Sequence, residues 1–434
     1  MERGRSQPRK RDVALATWGL FVGLALLLFA AGLFGTVLGV RSELVKLPTA
    51  VSGVISAAYY AGFLVGARVA LNALGRVGHI RVYSALASLL SASMIAVGLT
   101  DSSPAWIALR FVTGLCLAGQ YVVAESWLND LATNATRGRL LAIYSLVTTG
   151  AFGIGQVMLF ALDARLITGF AVASIVASLA VAPVALSEAA VAPVVQRAAP
   201  ISLRQLATTV PTGVGSCVLI GIAHGALIGM AAIYAIRIGL SPAVTGIFVA
   251  APNLGGMIFQ WPISAAADEL DRRAVGLVIA LLATAFAALL LVSPDHGAIP
   301  LVLITVLGGF TFPLYSIAAA YTNDWIEPEH VSAAASQLVA LYGIGAVVGP
   351  LVAAGMMIAF GAAGFYWSLV AIHALIGAFF VYRMSVWRSP LNKLPVSQLS
   401  LPARVFFLPA TVVALGRKAR KPQQSEPAGR QGPE

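Results

Sequence analysis

The 434-residue chain is 59 % hydrophobic and only 10 % charged, with a mean hydropathy of +0.88. Soluble globules carry about 25 % charged residues, so this composition excludes a water-soluble fold and makes lipid the solvent for most of the surface. The formal charge of +11, from 28 Lys and Arg against 17 Asp and Glu, would suggest nucleic acid in a soluble protein. Here the bases stand between apolar runs and in the tails, where they serve as topology signals, and no nucleic-acid partner is expected.

From the N-terminus, a basic cluster (Arg3, Arg5, Arg9, Lys10, Arg11) leads into an apolar stretch too long for a signal-peptide core, which reads as an uncleaved first span. About 20 apolar residues cross the hydrocarbon core. That ruler predicts twelve helices, at about 17–40, 50–70, 82–100, 105–124, 139–161, 166–187, 209–236, 242–264, 274–293, 298–320, 333–358 and 363–383. The longest internal interruption, 188–205, falls between two sets of six. The expected division is a basic cytoplasmic N-terminus 1–16, a six-helix bundle 17–187, a cytoplasmic central loop 188–208, a second six-helix bundle 209–383 and a basic cytoplasmic tail 384–434. Within the tail, 401–416 is too short to span, is broken by Pro402 and Pro409, and runs into Arg417, Lys418, Arg420 and Lys421. It reads either as an interfacial segment held against anionic headgroups or as disordered chain. With the N-terminus inside, 23 of the 28 basic residues fall on the cytoplasmic side, leaving Arg41, Lys46, Arg165 and Arg237 outside and Arg110 within a span. The bias puts both termini in the cytoplasm of a bacterial inner membrane, or of an organelle membrane derived from it.

The halves repeat. Pro48 with Val51-Ser52-Gly53 corresponds to Pro242 with Val244-Thr245-Gly246, and Gly62 to Gly256; Gly114 and Gly308, Asn129 and Asn323, and Gly155 and Gly349 follow at the same displacement of 193 or 194 positions. Parallel six-helix repeats joined by a cytoplasmic loop are the arrangement in which a solute binds near the midplane between halves that rock. The loop Gly75-Arg76-Val77-Gly78-His79-Ile80-Arg81 resembles the D-R-x-G-R-R signature of the major facilitator superfamily, with Gly75 for the acid and His79 for a base. Its second-half copy, Asp268-Glu269-Leu270-Asp271-Arg272-Arg273, keeps the acid. Leu109-Arg110-Phe111-Val112-Thr113-Gly114 resembles the R-x-x-x-G segment of proton-coupled members. Gln260-Trp261-Pro262, Phe312-Pro313-Leu314-Tyr315-Ser316, Glu125-Ser126-Trp127-Leu128-Asn129 and Tyr342-Gly343-Ile344-Gly345 look like a poorly characterised bacterial branch. The resemblance covers all twelve spans and implies an all-α membrane fold of two six-helix pseudo-repeats. A narrower similarity is to the family's proteins of magnetosome membranes, for which iron transport is proposed.

Arg110 lies about six residues, or about 9 Å, below the outer end of its span. An arginine at such depth usually faces a cavity or a partner, so it is a candidate for binding an anionic group or modulating proton exchange; a snorkelling or paired arginine is the bland alternative. His224, among Gly221, Gly225 and Gly229 on one helix face, is a candidate proton site or a hydrogen-bonded core histidine. Gln120, Gln156, Asn253 and Tyr315 are the other polar groups at depth and are expected to line a substrate cavity or to bond facing helices. Glu125, about 22 Å further along the helix of Arg110, is expected at the cytoplasmic end within reach of Arg76 or Arg81, as part of a gate. Asp130 with Arg137 and Arg139, and Asp268 and Asp271 beside Arg272 and Arg273, complete the expected cytoplasmic latch.

No G-x-x-x-x-G-K-[ST] loop and no metalloprotease or nucleophile-elbow motif occurs in the spans, so neither ATP-driven transport nor catalysis is expected and no cofactor is implied. Cys116 and Cys217 lie inside apolar runs and imply no disulfide framework. With His224, Met230 and Met257 they are scattered over several helices, which argues against a bare-iron site but not against a chelate or an anion. The sequence therefore predicts a secondary transporter of a small molecule or ion, energised by protons or by the solute's own gradient. The alternatives are an iron or iron-chelate transporter of a magnetosome membrane and, in a different class, a non-transporting scaffold or assembly factor acting through its basic tail.

Overall fold

The computed structural model describes residues 10–131, 137–162, 166–187, 201–327 and 329–386. The side chains of 10–16, 129, 130, 137, 138, 141 and 332 lie outside that description, as do the N-terminal basic cluster, most of the central loop and the tail. Asp130 and Arg137 are therefore not placed.

The described chain is helical nearly throughout. In order it forms α1 (Lys10–Leu44), α2 (Thr49–Val77), α3 (His79–Gly98), α4 (Ser103–Leu131), α5 (Arg137–Val157) with a 3₁₀ turn at Met158–Ala161, α6 (Thr168–Leu179) and α7 (Val181–Ala185). Then come α8 (Leu203–Thr209), α9 (Pro211–Arg237), α10 (Pro242–Glu269), α11 (Arg272–Val292), α12 (Ala298–Thr311), α13 (Pro313–Asn323), α14 (Val331–Phe360) and α15 (Gly364–Val386). Hydrocarbon leaves no water for backbone amides, so each segment must satisfy its own, and helices do so. Among the described residues eleven stretches are long and apolar enough to cross. The last, Ala333–Val386, is 54 residues and contains both α14 and α15, parted at Gly361, whose φ of 65° suits glycine. Among the described residues the crossings number twelve.

Local chemistry sets the ends. Ser241 accepts the Val244 amide and Pro242 takes the first turn of α10, while Asp271 accepts the Arg273 amide at the start of α11. Two features depart from the hydropathy reading. The tenth crossing is broken between Thr311 and Pro313 into α12 and α13, because proline supplies no amide to the preceding turn. The segment expected as loop up to 208 contains α8, capped by the Ser202 hydroxyl on the Gln205 amide.

Helix pairings repeat between halves. In the first, α2 packs on α4, α1 on α5 and α3 on α6; in the second, α10 packs on α12, α9 on α14 and α11 on α15. Each half has its own apolar core, one running from Leu20 to Val184 and the other from Ile201 to Phe380. The tightest crossings are backbone on backbone: Gly62 faces the Phe111 carbonyl and Gly114 the Tyr59 carbonyl, while Gly255 faces the Thr305 carbonyl and Gly308 the Pro252 carbonyl. Any Cβ at these points would collide with main chain, which is why small residues mark membrane helix contacts. These contacts correct the repeat pairing of Gly62 with Gly256. Gly255 makes the equivalent contact, at the 193-residue offset of Gly53 and Gly246, and Gly256 packs on the Phe312 ring instead. Between halves, α2 meets α14, α5 meets α10 and α1 meets α9, and apolar side chains such as Leu146, Ile154, Ile175, Val278 and Trp261 face outward to lipid.

Candidate functional site: a cavity between the halves

The Gly62–Gly114 crossing sets Arg110, one turn before Gly114, beside Tyr59, nearly one turn before Gly62. The Arg110 guanidinium lies 4.5 Å from the centroid of the Tyr59 ring and 5.4 Å from that of Phe34, a cation–π arrangement. Gly35 leaves it space on the α1 side. Among the described residues no carboxylate lies within ion-pairing distance of Arg110.

This arginine lines a cavity of about 230 Å³ between the halves. Tyr59, Tyr60, Phe63 and Gln156 wall it from the first half, and Ile228, Tyr315 and Tyr342 from the second. Among the described residues its charged lining is Arg68 and Arg110 alone, with no acid, lysine or histidine. At one end the walls are closed. Ser42 and Ser52 are buried there, the Ser56 hydroxyl donates to the Gly229 carbonyl at 2.8 Å, and Arg237 joins the halves by donating to Glu43 at 2.6 Å and to Thr49 at 3.1 Å. At the other end the lining residues Arg68 and Ser336 are exposed. The cavity is thus capped beneath Glu43–Arg237 and open beyond Arg68.

Of the polar residues singled out from the sequence, Arg110, Gln156 and Tyr315 line the cavity. Asn253 braces it, donating to the Gln156 side-chain oxygen at 2.9 Å across the two halves. Gln120 points elsewhere and donates to the Tyr83 carbonyl in the first-half core. His224 is fully buried behind the cavity wall, its ring nitrogens 3.0 Å from the Thr311 carbonyl and 2.8 Å from the Tyr342 hydroxyl. The carbonyl can only accept, so Nε2 carries the hydrogen and Nδ1 accepts from Tyr342. The imidazole ties the broken tenth crossing to a cavity tyrosine. Replacing His224 by Leu removes both bonds; a loss of about 1–2 kcal/mol is expected, read as a lower thermal midpoint in detergent.

The charged groups expected at a cytoplasmic latch are placed differently from that expectation. Glu125 does not reach Arg76 or Arg81, which are exposed. It is fully buried between α4 and α5 and accepts from the Tyr144 hydroxyl at 3.1 Å, and its Oε2 has no hydrogen-bond partner. Helix rotation explains this: Glu125 shares the inward face of α4 with Tyr121 and Leu128, both buried. His79, aligned with a surface base of the loop signature, is also buried; it contacts the Ser126 hydroxyl at 3.1 Å and the Trp127 ring at 5.6 Å. Asp268 and Asp324 flank Arg272 at 3.2 and 2.8 Å, and Asp271 meets Arg273 at 3.0 Å, all inside the second half. Among the described residues the ion pair that joins the halves is Glu43–Arg237, at the opposite end. Sequence reading missed it, together with Tyr59 and Tyr60. The available signals were a lone acid just before Pro48 and a tyrosine doublet in the middle of an apolar span.

A profile described as Major Facilitator Superfamily matches residues 214–423, and one described as Sugar (and other) transporter matches 34–164. The uncharacterized MFS-type transporter YcaD of Escherichia coli O139:H28 is 29 % identical over 344 residues, 78 % of this chain and 88 % of that protein. Its counterpart in Salmonella newport is 28 % identical over the same coverage. Among solved structures, the nucleoside transporter NupG aligns with a TM-score of 0.70 at 11 % identity, over 86 % of this chain and 100 % of its own. A bacterial homologue of the human lysosomal transporter Spinster, in its inward-facing and occupied conformation, aligns at 0.69 with 16 % identity, over 88 % and 98 %. These matches are to transporters of the major facilitator superfamily, and the chain is a multi-pass membrane protein with their fold.

Proposed function

We propose that the protein is a secondary transporter that carries a small solute across a bacterial inner membrane by alternating access, with both termini in the cytoplasm. The observation that carries this is the asymmetry of the cavity, sealed beneath Glu43–Arg237 and exposed at Arg68 and Ser336. The positive-inside bias assigns the open end to the cytoplasm, so the structure corresponds to an inward-facing state. Passage outward needs the Glu43–Arg237 pair to part and the Arg68 end to close. A membrane-impermeant maleimide should label Ser336→Cys in inside-out vesicles and not in right-side-out ones. Reactivity of Ser336→Cys from the external face would overturn the assignment.

Glu125 supports proton coupling. Among the described residues it is the one fully buried carboxyl, and an uncompensated charge at such a place is costly, so its exchange with water is tied to the conformation that exposes it. Glu125→Gln is expected to leave the protein folded and abolish pH-gradient-driven accumulation while sparing exchange. Retained accumulation would remove Glu125 from the coupling path. The iron alternative gains no support as a bare cation, because among the described residues the cavity lining offers two arginines and no acid. Glu327, Glu329 and His330, the described cluster nearest to a metal-ligand set, are partly or fully exposed and do not line the cavity.

A further inference from the structure

Resting on that reading and narrowing it, we propose that the transported solute is a small organic anion with an apolar, ring-bearing body, whose carboxylate, phosphonate or sulfonate group is held by Arg110. Three features converge on this chemistry. The first is charge. Among the described residues the cavity lining carries two guanidinium groups and no acidic side chain, so its field favours anions and repels cations. Nor is Arg110 neutralised from outside the cavity, since no described carboxylate pairs with it. A guanidinium stacked on Tyr59 and Phe34 keeps its N–H edge available, and that edge is a planar fork suited to two-point capture of a carboxylate or phosphonate.

The second is the wall. Tyr59, Tyr60, Phe63, Tyr315 and Tyr342 ring the space around Arg110, and Tyr315 meets Tyr342 edge to face at a centroid separation of 5.2 Å. Such a wall rewards a flat apolar body with a few polar edges rather than a polyhydroxylated one. At about 230 Å³ the space lies below the about 300–1,000 Å³ of drug-sized ligand sites, which limits the body to one or two rings.

The third is depth. Arg68 stands nine residues after Tyr59 on α2, about 14 Å further along the axis, at the exposed mouth. Two cations at two depths give an anion a first and a second stop on one path, with Arg68 drawing it in and Arg110 holding it where the halves meet.

The test uses three shape-matched fluorescent probes on the purified full-length protein: 2-naphthoate, 2-naphthalenemethanol and 2-naphthylmethylammonium. Naphthoate is expected to bind at least tenfold more tightly than the alcohol, with the ammonium weakest. Arg110→Gln should erase the preference at least tenfold, and Arg110→Lys should keep part of it. Arg68→Gln, at the exposed mouth, should slow naphthoate entry and lower the anion preference by less than Arg110→Gln does, which keeps the proposal testable if Arg110 variants fail to fold. Equal binding of the three probes, or an anion preference untouched by Arg110→Gln, would overturn it. The two readings fail separately. Anion binding without flux in proteoliposomes would defeat the transporter and leave the anion site, whereas flux of a cation unaffected by Arg110→Gln would defeat the anion site and leave the transporter.

Discussion

Bridging Glu43→Cys and Arg237→Cys with a bifunctional methanethiosulfonate is expected to hold the cavity shut at its capped end, which is the external side in the proposed orientation. The bridge needs a spacer, because two long ion-paired side chains set their Cα atoms farther apart than the roughly 4.4–6.8 Å of a disulfide. The readout is a third cysteine at Ser52, which is 1 % exposed and lies just beneath the cap. In the unbridged protein an external impermeant maleimide reaches Ser52→Cys whenever the halves part; in the bridged protein that labelling is expected to fall at least 100-fold and to return on reduction. The opposite change, Glu43→Gln, removes the carboxylate that accepts from Arg237 at 2.6 Å and should speed external labelling, because the capped state loses a contact the open state does not make. External labelling that persists through the bridge would mean that Glu43–Arg237 is a surface ion pair, of little worth in itself, and not the cap.

Gly114→Ala is expected to be among the costliest additions of a single methyl group to this protein. Its Cβ would meet the carbonyl of Tyr59, which is main chain and cannot swing away. Overpacking costs about 1–3 kcal/mol and occasionally more; a backbone obstacle puts this site at the upper end, about 3 kcal/mol, because α2 and α4 must separate along their length. The same separation moves Tyr59 off Arg110, so the cavity is disturbed along with stability. Gly153→Ala on α5 is the control, since nothing lies within 4 Å of the added Cβ, and its effect is expected within about 0.5 kcal/mol. Thermal midpoints by size-exclusion fluorescence compare the two; equal midpoints would show that the α2–α4 crossing is looser than the structure has it.

Span positions were readable from the sequence because hydrocarbon sets helix length, and a run of about 20 apolar residues is rarely stable anywhere but across a bilayer. The twofold repeat was readable because close helix crossings demand glycine, and Gly114 and Gly308 sit at those crossings in both halves. What hydropathy hides is rotation about the helix axis. Glu125 and His79 read as surface charges near a loop, yet each occupies an inward face where Tyr144 or Ser126 meets it. In lipid both faces of a helix can be apolar, so periodicity does not tell which one turns inward. Arg110 announced itself, since an arginine at depth needs a reason to be there. Its companions Tyr59 and Tyr60 did not, because tyrosine is compatible with core, interface and cavity alike. Arg237 stood on the sparse outer side of the basic-residue count and Glu43, an acid, lay outside that count; only the fold brings them together across 194 positions.

Reciprocal opening of the two ends is the claim on which the transport cycle depends, and spin-label distances test it directly. One label pair spans the halves at the capped end (Lys46→Cys with His296→Cys) and another at the open end (Arg76→Cys with Glu269→Cys), all four being exposed positions, while the native Cys116 and Cys217 are buried. Between the wild-type background and Glu43→Gln in the same lipid nanodiscs, the first distance is predicted to lengthen while the second shortens. Distances that both stay fixed, or that change together in the same direction, would contradict alternating access in this protein.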